Sequence, residues 1–410
     1  MHNKKICVLG LGYIGLPTAT LLSNVGYDVL GVDINNDIVD MVNQGKTHFV
    51  EPNLDKSLKV AVNSRSLKAS NKPLEADIFI VCVPTPLHKS NNTFMPDTSN
   101  VIAAVRSIVK LLKPNNLLLI ESTCPVGTTE QISKLLIDEG VDLSDIYLAY
   151  CPERVLPGNI LYELKENNRI VGGITTEASS AAAHFYKTFV TGNISVTTSK
   201  TAEMCKLTEN SFRDLNIAFA NELSLICDKE DIDIQNLIGL ANRHPRVNIL
   251  DPGVGVGGHC IAVDPWFIVS RNKENTRLIQ TARQVNTNKT LWVIDRIIKK
   301  ADHFENQNGS KAKIACLGLS FKPNVDDLRE SPAESIALNL SDRGFDVLCV
   351  EPNINSHSSL KLYSINEALS KADIIAILVK HNEFINLLHR DIPQTTNFLD
   401  FCGALAPELN

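Results

Sequence analysis

The residue of this 410-residue chain best suited to chemistry is Cys260, which follows closely spaced glycines in the stretch GVGVGGHCIAVDPW and precedes Asp264. Glycines keep side chains away from a nucleophile, so backbone amides can surround it. A thiolate that adds to an aldehyde makes the carbonyl carbon tetrahedral, and loss of a hydride then leaves a thioester that water hydrolyses to an acid. The stretch therefore suits oxidation to a carboxylic acid, although a structural loop cysteine fits the spacing alone equally well.

Three polar side chains lie on a long helical pattern that precedes this stretch. The segment TAEMCKLTENSFRDLNIAFANELSLICDKEDI contains no glycine or proline for thirty-two residues. Lys206, Asn210 and Arg213 stand at i, i+4 and i+7 and therefore share one helix face. Lys206 is a candidate cation to favour the thiolate form of Cys260. The pattern alone is also typical of a solvated polar stripe.

The N-terminus carries a complete strand, helix and strand with a glycine fingerprint. In KKICVLGLGYIGLPTATLLSNVGYDVLGVDIN, the pattern GxGxxG is formed by Gly10, Gly12 and Gly15. These glycines permit a tight turn, close approach of a pyrophosphate and close packing of helix on strand. Asp33 ends the second strand, eighteen residues after Gly15, where a carboxylate accepts from a ribose 2′-hydroxyl and repels a 2′-phosphate. The unit predicts NAD rather than NADP, the alternative being a glycine turn without a ligand.

Further apolar runs alternate with helical patterns and predict a doubly wound parallel sheet of the α/β class. The runs are ADIFIVCVPTP, NLLLIESTCPVG and IYLAYCPER. Thr85, Thr123 and Glu153 fall just past the ends of these runs, where such sheets bind their ligands. Turn and cap residues also occupy such positions, so the pattern alone leaves both roles open.

The C-terminal part repeats the N-terminal pattern incompletely. After a second predicted helix at about residues 275–300, HFENQNGSK suggests a linker. KIACLGLSFKP then echoes KICVLGLGYIGLP, and RGFDVLCVEPN echoes VGYDVLGVDIN. The second copy lacks the full glycine fingerprint. With Lys322 and Arg329, the second copy suits another phosphate group better than a second NAD; a degenerate duplicate is the alternative.

Composition places the chain among ordinary globular proteins. Hydrophobic residues make up 44% and charged residues 21%, the net charge is −6, and no apolar run approaches the ~20 residues of a membrane span. The N-terminus enters a strand pattern directly, with no long apolar region followed by a small-residue cleavage site, and the ten cysteines form neither a CxxC pair nor a spaced Cys/His set. We expect a cytoplasmic protein that binds no metal, no nucleic acid and no membrane.

Five motifs occur in order over essentially the whole chain. They are GLGYIGLP, CPERVLPG, KLTENSFRDLNIAFANE, NRHPRVNILDPGVGVGGHCIAVDPWFIV and GLSFKPNVDDLRESPA, and together they resemble the UDP-glucose/GDP-mannose dehydrogenase family. The resemblance implies oxidation of the C6 hydroxymethyl group of a nucleotide sugar to a carboxylate. This is a four-electron reaction that uses two NAD per turnover and a cysteine thioester.

One departure from the wider family concerns the sugar. Family members that oxidise UDP-glucose typically have a Lys just before the Asp of the cysteine motif, where this chain has Val263. The resemblance therefore implies a UDP-N-acetylhexosamine. The stretch CIAVDPW is closer to the type that oxidises UDP-N-acetyl-D-mannosamine for surface polysaccharide precursors, with UDP-N-acetylglucosamine as the alternative substrate.

The resemblance also implies roles for individual residues. Cys260 is the expected nucleophile and Lys206 the acid/base or oxyanion-stabilising group; Asn210, Asp264, Glu153 and Thr123 would position the substrate or the hydrolytic water. The expected cofactor positions are Gly10, Gly12, Tyr13, Ile14, Gly15, Asp33, Thr85, Thr123 and Arg329. The expected nucleotide-sugar positions are Arg154, Val155, Lys206, Asn210, Arg213, His244, Arg246, Gly257, Phe321 and Lys322. Several of these are cations, as a diphosphate requires in an acidic chain.

Three regions are expected from these patterns and the resemblance. They are an NAD-binding Rossmann-type domain at 1–200, a central long-helix dimerisation and catalytic region at 201–304, and a C-terminal Rossmann-like UDP-sugar-binding domain at 305–410. The apolar surface of the central helices favours a homodimer. Two other functions fit parts of the sequence: a two-electron, Lys-dependent hydroxyacid dehydrogenase that does not need Cys260, and a nucleotide-sugar-binding protein without catalytic activity.

Overall fold

A computed structural model of the chain describes residues 4–90, 93–156, 158–258, 260–388 and 397–405. The chain divides into two compact units, Met1–Glu209 with Trp266–Asn272 and Asn210–Pro265 with Lys273–Asn410. The α/β fold with two strand-containing regions and long central helices is as predicted. Among the described residues, no helix is both long enough and apolar enough to cross a membrane.

The first unit is built on an eight-stranded sheet. Its elements are β1 (Lys5–Leu9), α1 (Gly15–Asn24), β2 (Asp28–Val32), α2 (Asn36–Asn43), α3 (Leu54–Asn63), β3 (Leu67–Ser70), β4 (Ile78–Val81), a hairpin of β5 (Leu87–Ser90) and β6 (Thr93–Pro96), α4 (Ser99–Ile108), β7 (Leu117–Ile120), α5 (Thr128–Asp138), β8 (Tyr147–Tyr150), α6 (Ile160–Glu166), β9 (Arg169–Gly173), α7 (Thr176–Tyr186), β10 (Ile194–Thr198) and the start of α8 (Ser199–Glu230). The strand order is β10-β9-β8-β7-β4-β1-β2-β3, and β8 and β9 form its antiparallel pair.

Both faces of this sheet are covered, which explains its apolar strands. All four residues of β4 (IFIV) and of β7 (LLLI) are buried. Side chains alternate across a strand, so Ile6 and Val8 of β1 pack into one hydrophobic cluster, whereas Cys7 and Leu9 pack into the other. Near-continuous apolar strands are typical of a parallel sheet with helices on both faces.

The second unit combines long helices with a four-stranded parallel sheet. After the remainder of α8, its elements are α9 (Ile234–Ala241), the start of α10 (Asp264–Arg271), α11 (Arg277–Asn308), β11 (Lys313–Leu317), α12 (Pro332–Asp342), β12 (Asp346–Val350), α13 (Ile365–Lys371), β13 (Ile374–Ile377), α14 (Asn382–Leu388) and β14 (Asn397–Asp400). The strand order is β12-β11-β13-β14. The predicted repeat is present, since β11 and β12 pair in parallel as β1 and β2 do.

The linker predicted at HFENQNGSK is wrong for most of its length. Helix α11 continues to Asn308 and ends at Gly309, whose φ is 68° and whose amide donates to the Glu305 carbonyl at 2.8 Å. Phe304 explains the longer helix, because it packs against the hydrophobic core of the C-terminal sheet. Polar residues without proline can continue a helix when such a contact anchors its last turns, and glycine then supplies the left-handed cap.

Candidate active site

The glycine turn after β1 has the close packing that the fingerprint predicts. A Cβ atom on Gly15 would lie 1.8 Å from the Gly10 carbonyl oxygen, so only glycine fits there. In contrast, a Cβ on Gly12 would meet no atom within 4 Å. The turn is therefore tight on the protein side and open beside Gly12, where a pyrophosphate would approach the backbone.

Asp33 lies beside this turn at the end of β2. Its Oδ2 accepts from the Leu11 amide and its Oδ1 from the Asn35 amide, both at 2.9 Å. Each carboxylate oxygen has a second lone pair, so Asp33 can still accept from ribose hydroxyls. Tyr13 is exposed and stacks on Phe49 with 4.2 Å between ring centroids. The roles of Asp33 and Tyr13 in NAD binding stay predictions.

We expect that Asp33→Asn raises the KM for NAD roughly 10-fold, since one hydrogen bond to a charged group contributes about 1.5–3 kcal/mol. The ratio of NAD to NADP use should fall as well, because the repulsion of a 2′-phosphate is lost. Steady-state kinetics with both cofactors measures this effect. Asp28→Asn, an exposed change at the opposite end of β2, is the matched control, and an unchanged cofactor ratio in Asp33→Asn would contradict the assigned role.

The predicted strand-end residues lie together in the first unit. The Thr85 hydroxyl donates to the Thr123 carbonyl at 2.7 Å. Glu153 is held on both oxygens: Oε2 pairs with Arg169 Nη1 at 2.6 Å, and Oε1 accepts from the Arg154 amide at 2.6 Å. The side chains of Arg169 and Glu153 are only 3% and 6% exposed. Glu153 is therefore a carboxylate held in one position. It lies at the edge of the sheet where ligands bind in this fold class.

A second buried carboxylate, Glu121, lies in the same cluster and was not predicted. It accepts from the Tyr186 hydroxyl at 2.6 Å and from the Cys82 thiol at 3.3 Å. Burial raises the pKa of Glu121, Arg169 lowers it and Glu153 raises it further. The cluster thus combines two carboxylates with one guanidinium. The only sign of this cluster in the sequence is Arg169, which begins the otherwise apolar strand RIVGG.

The glycine-rich stretch before Cys260 is attached to both long helices in the second unit. The Gly253 amide donates to Asn221 Oδ1 on α8 at 2.9 Å, and the Thr290 hydroxyl on α11 donates to the Val254 carbonyl at 2.8 Å. Asn221 in turn donates to Asn286 Oδ1 at 2.9 Å. These contacts fix where the stretch begins.

The end of this stretch packs against the loop that follows β11. Gly258 has a φ of 82°, and a Cβ there would lie 2.8 Å from the Phe321 ring. The Gly258 amide donates to the Arg329 carbonyl at 3.1 Å. Gly257 is buried at the same contact. The segment that carries the Cys260 thiol therefore packs against the loop that follows β11.

Cys260 is exposed, and no other of the ten cysteines, all within the described ranges, is. Its carbonyl accepts from the Val263 and Asp264 amides at 3.0 and 2.8 Å, which forms the turn into α10. Buried Asp264 accepts from Asn210 Nδ2 at 2.5 Å. The second unit thus brings Cys260, Asp264 and Asn210 into one neighbourhood. A helix N-terminus follows directly, and it favours negative charge nearby.

Most other thiols cannot serve as nucleophiles. Burial raises the pKa of Cys151 to about 12, and it raises the pKa values of Cys82 and Cys124 well above the usual value. Because the thiolate is the reactive form, these thiols are unsuited to nucleophilic attack.

The remaining predicted residues lie outside the contacts described so far. His244 and Arg246 are exposed in the loop after α9, which Asn242 closes by hydrogen bonds of 3.0 and 2.7 Å with Ile249. Arg329 is exposed and forks onto Asp327, with Nη2 to Oδ2 at 2.6 Å. The others are Ile14, Val155, Lys206 and Phe321, all half-buried, the exposed Arg213 and Lys322, and Arg154, which pairs with Glu209 at 2.7 Å. Lys206 and Glu153 belong to the first unit and Cys260 to the second, so their roles stay predictions.

Comparison with known proteins covers nearly the whole chain. Residues 4–190, 200–288 and 315–407 match the NAD binding, central and UDP binding domains of the UDP-glucose/GDP-mannose dehydrogenase family. The UDP-N-acetyl-D-mannosamine dehydrogenase of Campylobacter jejuni is 51% identical over 97% of this chain and 99% of its own length. The NDP-N-acetyl-D-galactosaminuronic acid dehydrogenase of Ralstonia nicotianae is 51% identical over 94% and 92%.

A solved structure of a related enzyme is also similar to this chain. The UDP-D-ManNAc dehydrogenase of Pyrococcus horikoshii has a TM-score of 0.89 and 37% identity, over 99% of this chain and 96% of that one. The predictions of NAD as cofactor and of a nucleotide-sugar substrate are confirmed by the matched NAD and UDP binding domains. The chain belongs to the UDP-glucose/GDP-mannose dehydrogenase family.

Proposed function

We propose that the protein oxidises UDP-N-acetyl-D-mannosamine at C6 to UDP-N-acetyl-D-mannosaminuronate. The observation that carries this proposal is the exposed Cys260 at the end of a glycine stretch, close to the hydrogen-bonded pair of Asn210 and buried Asp264. An alcohol dehydrogenase that stops at the aldehyde has no use for this thiol. The 51% identity to a UDP-N-acetyl-D-mannosamine dehydrogenase supports the assignment of this sugar as the substrate.

We assign each step to residues of this chain. The C6 alcohol loses two electrons and two protons to become an aldehyde, and the Cys260 thiol adds to it to form a thiohemiacetal. Loss of two further electrons and two protons gives a thioester, which water cleaves to the carboxylate and the restored thiol. NAD, when bound, accepts a hydride in each oxidation. Lys206 stabilises the oxyanion, and Glu153 with Thr123 holds the hydrolytic water.

The stoichiometry of NADH tests this function. The wild-type enzyme should release two NADH per sugar consumed, with UDP-N-acetyl-D-mannosamine preferred over its glucosamine and galactosamine counterparts. The galactosamine sugar is included because of the equally similar Ralstonia enzyme. One NADH per sugar would contradict the proposal and indicate a two-electron dehydrogenase, whereas a different preferred sugar would overturn only the assignment of the substrate.

We further propose the division of labour expected from the sequence: NAD binding by 1–200, catalysis and dimerisation by 201–304, and UDP-sugar binding by 305–410. The ranges matched by the three family domains support it. A cytoplasmic location is also proposed. It is supported by ten cysteines of which many lie in the core as thiols.

The homodimer is proposed from an apolar stripe on α8. Phe212, Phe219 and Ile226 recur every seventh residue and are 69%, 50% and 49% exposed. Exposed large apolar side chains at this spacing form one continuous strip along a helix. Leu278 and Leu291 add exposed apolar surface on α11. A second copy of the same strip would remove this surface from water in an isologous interface.

We expect Phe219→Glu to raise the dissociation constant of the dimer at least about 30-fold, because a central aromatic contact of an interface commonly contributes 2 kcal/mol or more. Light scattering across a dilution series measures this. Phe219→Leu keeps the apolar contact and should remain dimeric. A glutamate variant with the same mass as the wild type at every dilution would contradict the proposed interface.

A further inference from the structure

The two glycine turns of the chain share a design that the sequence repeat only suggests. Gly10 and Gly318 both have a φ of 93°. Their amides donate to the Val32 and Val350 carbonyls, both at 2.8 Å. In each fold, the acid that follows the second strand accepts from the turn. Glu351 is therefore the counterpart of Asp33, the residue assigned to the ribose of NAD.

Glu351 differs from Asp33 because donors from the protein itself occupy both of its carboxylate oxygens. It is only 4% exposed. Oε2 accepts from the Leu319 amide at 2.8 Å, the Ser320 amide at 3.0 Å and His381 Nε2 at 3.0 Å. Oε1 accepts from the amide and side chain of Asn353, at 3.1 and 3.0 Å. Five donors occupy the two oxygens, so this carboxylate cannot act as a ribose acceptor.

His381 extends this contact to the loop after β11. It is completely buried. Its Nδ1 accepts from the Asn324 amide at 2.9 Å, and a backbone N–H can only donate. Nδ1 is therefore unprotonated, and Nε2 carries the proton that it donates to Glu351. The Asn382 amide donates to Asn324 Oδ1 at 3.0 Å and closes the loop from the other side.

Electrostatics agree with an ionised Glu351. Burial would raise the pKa of this carboxyl, but hydrogen bonds from His381 and from the Leu319 and Ser320 amides hold it at about 2. With the proton on Nε2, His381 donates to Glu351 while its Nδ1 accepts from the Asn324 amide, so the hydrogen bonds of the pair are complementary. We name the side chains of Glu351, His381 and Asn324 the loop latch.

The loop held by the latch carries two residues expected to bind the nucleotide sugar. Ser320 Oγ donates to the Lys322 carbonyl at 2.8 Å, and the Phe321 amide donates to the Asp327 carbonyl at 3.1 Å. The Phe321 ring also lies against Gly258, two residues before Cys260. Within the second unit, a displacement of this loop would move Lys322 and the support of the thiol segment together.

We propose that Glu351 and His381 are positioning residues that fix the Phe321–Lys322 loop for the nucleotide sugar and for the segment that carries Cys260. In this second fold, the acid that would bind a ribose has become an internal anchor for a substrate loop. The inference rests on the proposed function, because it assumes that Lys322 binds the diphosphate of a UDP-sugar.

The test compares substitutions of His381 in the full-length enzyme. His381→Ala removes both contacts, whereas His381→Asn retains an acceptor near Nδ1 for the Asn324 amide. We expect His381→Ala to raise the KM for the UDP-sugar about 10-fold or more and to change the KM for NAD less than 2-fold. His381→Asn should recover a large part of the loss. Alkylation of Cys260 by iodoacetamide should also change in rate in His381→Ala.

A control separates positioning from general destabilisation. Phe384 is buried and packs on the His381 ring with 5.2 Å between centroids, but this contact contributes no hydrogen bond to the latch. Phe384→Leu should lower the melting temperature while leaving the KM for the UDP-sugar unchanged. Equal KM increases in Phe384→Leu and His381→Ala, or an unchanged KM in His381→Ala, would overturn the inference.

Calorimetric titration with UDP alone separates this inference from the proposed function. A wild type that binds UDP but reduces no NAD would contradict the function, while a weaker UDP affinity of His381→Ala would still support the latch. If His381→Ala fails to fold, Glu351→Gln provides the comparison, because it keeps the shape and removes the charge. Equal UDP affinities of the wild type and the folded variant would overturn the latch even in an active enzyme.

Discussion

Replacing Cys260 by serine is expected to abolish uronate formation while leaving NAD binding intact. The thiohemiacetal and the thioester both need a sulfur nucleophile, and a serine hydroxyl at its ordinary pKa is far less nucleophilic than a thiolate. Loss of the nucleophile from an enzyme that forms a covalent intermediate costs on the order of 10³-fold or more in turnover. Because Gly12 and Asp33, which are expected to bind NAD, are unchanged in this variant, the Kd for NAD should stay within 2-fold.

Two measurements check this expectation. Quantification of the uronate gives the overall reaction, and trapping with hydroxylamine gives any aldehyde that accumulates after the first oxidation. Cys402→Ser is the matched control, since that thiol is half-buried near the C-terminus, within 3.6 Å of Asp400 Oδ1, and far in sequence from the active stretch. Uronate formation at the wild-type rate in Cys260→Ser would return the residue to a structural role.

The local parts of the fold could be predicted from the sequence because their signals are local. The GxGxxG turn, the apolar strands and the unbroken pattern of α8 each lie within a short segment, and the structure has them where they were predicted. The end of α11 could not be predicted in this way. Its last turns depend on the contact of Phe304 with a sheet that follows in the chain, and the composition of HFENQNGSK carries no trace of that contact.

The site likewise contains residues that the sequence reveals and contacts that it does not. Cys260 and its neighbours stand out by residue type, spacing and family motif. Arg169 contacts Glu153, sixteen residues earlier, and Tyr186 contacts Glu121 across sixty-five residues. Such pairs depend on strand order, which spacing does not encode. Glu351 was visible as an acid that echoes Asp33, but its burial and its bond to His381 follow from the pairing of β11 with β13.

Removing Arg169 should produce the largest loss of stability among the changes considered. In Arg169→Met, the buried Glu153 loses its ionic partner at 2.6 Å and lies near a second buried carboxylate, Glu121. Breaking a buried ion pair on one side costs about 3–5 kcal/mol of unfolding free energy. Chemical denaturation of the full chain measures it. Lys200→Met, which breaks the exposed 2.8 Å pair with Glu130, is the control and should cost at most about 1 kcal/mol.

A double variant distinguishes a structural role of this pair from a role in hydrolysis. Arg169→Met combined with Glu153→Gln leaves no uncompensated charge at Glu153, so most of the lost stability should return. Turnover should not return, because a glutamine cannot accept a proton from water. We expect a burst of two NADH per active site and then hydrolysis slowed by about 10²-fold or more, with the acyl-enzyme visible as added mass on Cys260.

Recovery of turnover in the double variant would assign the pair a different role. If the double variant recovers both stability and turnover, the pair of Arg169 and Glu153 only supports the sheet edge, and another group must activate the water. If Glu153→Gln alone accumulates the acyl-enzyme, the Glu153 carboxylate activates the water that attacks the thioester, and Arg169 positions that carboxylate. The 2.6 Å contact and the burial of both side chains favour the second result, because a carboxylate that a guanidinium holds in one orientation is positioned for the attacking water.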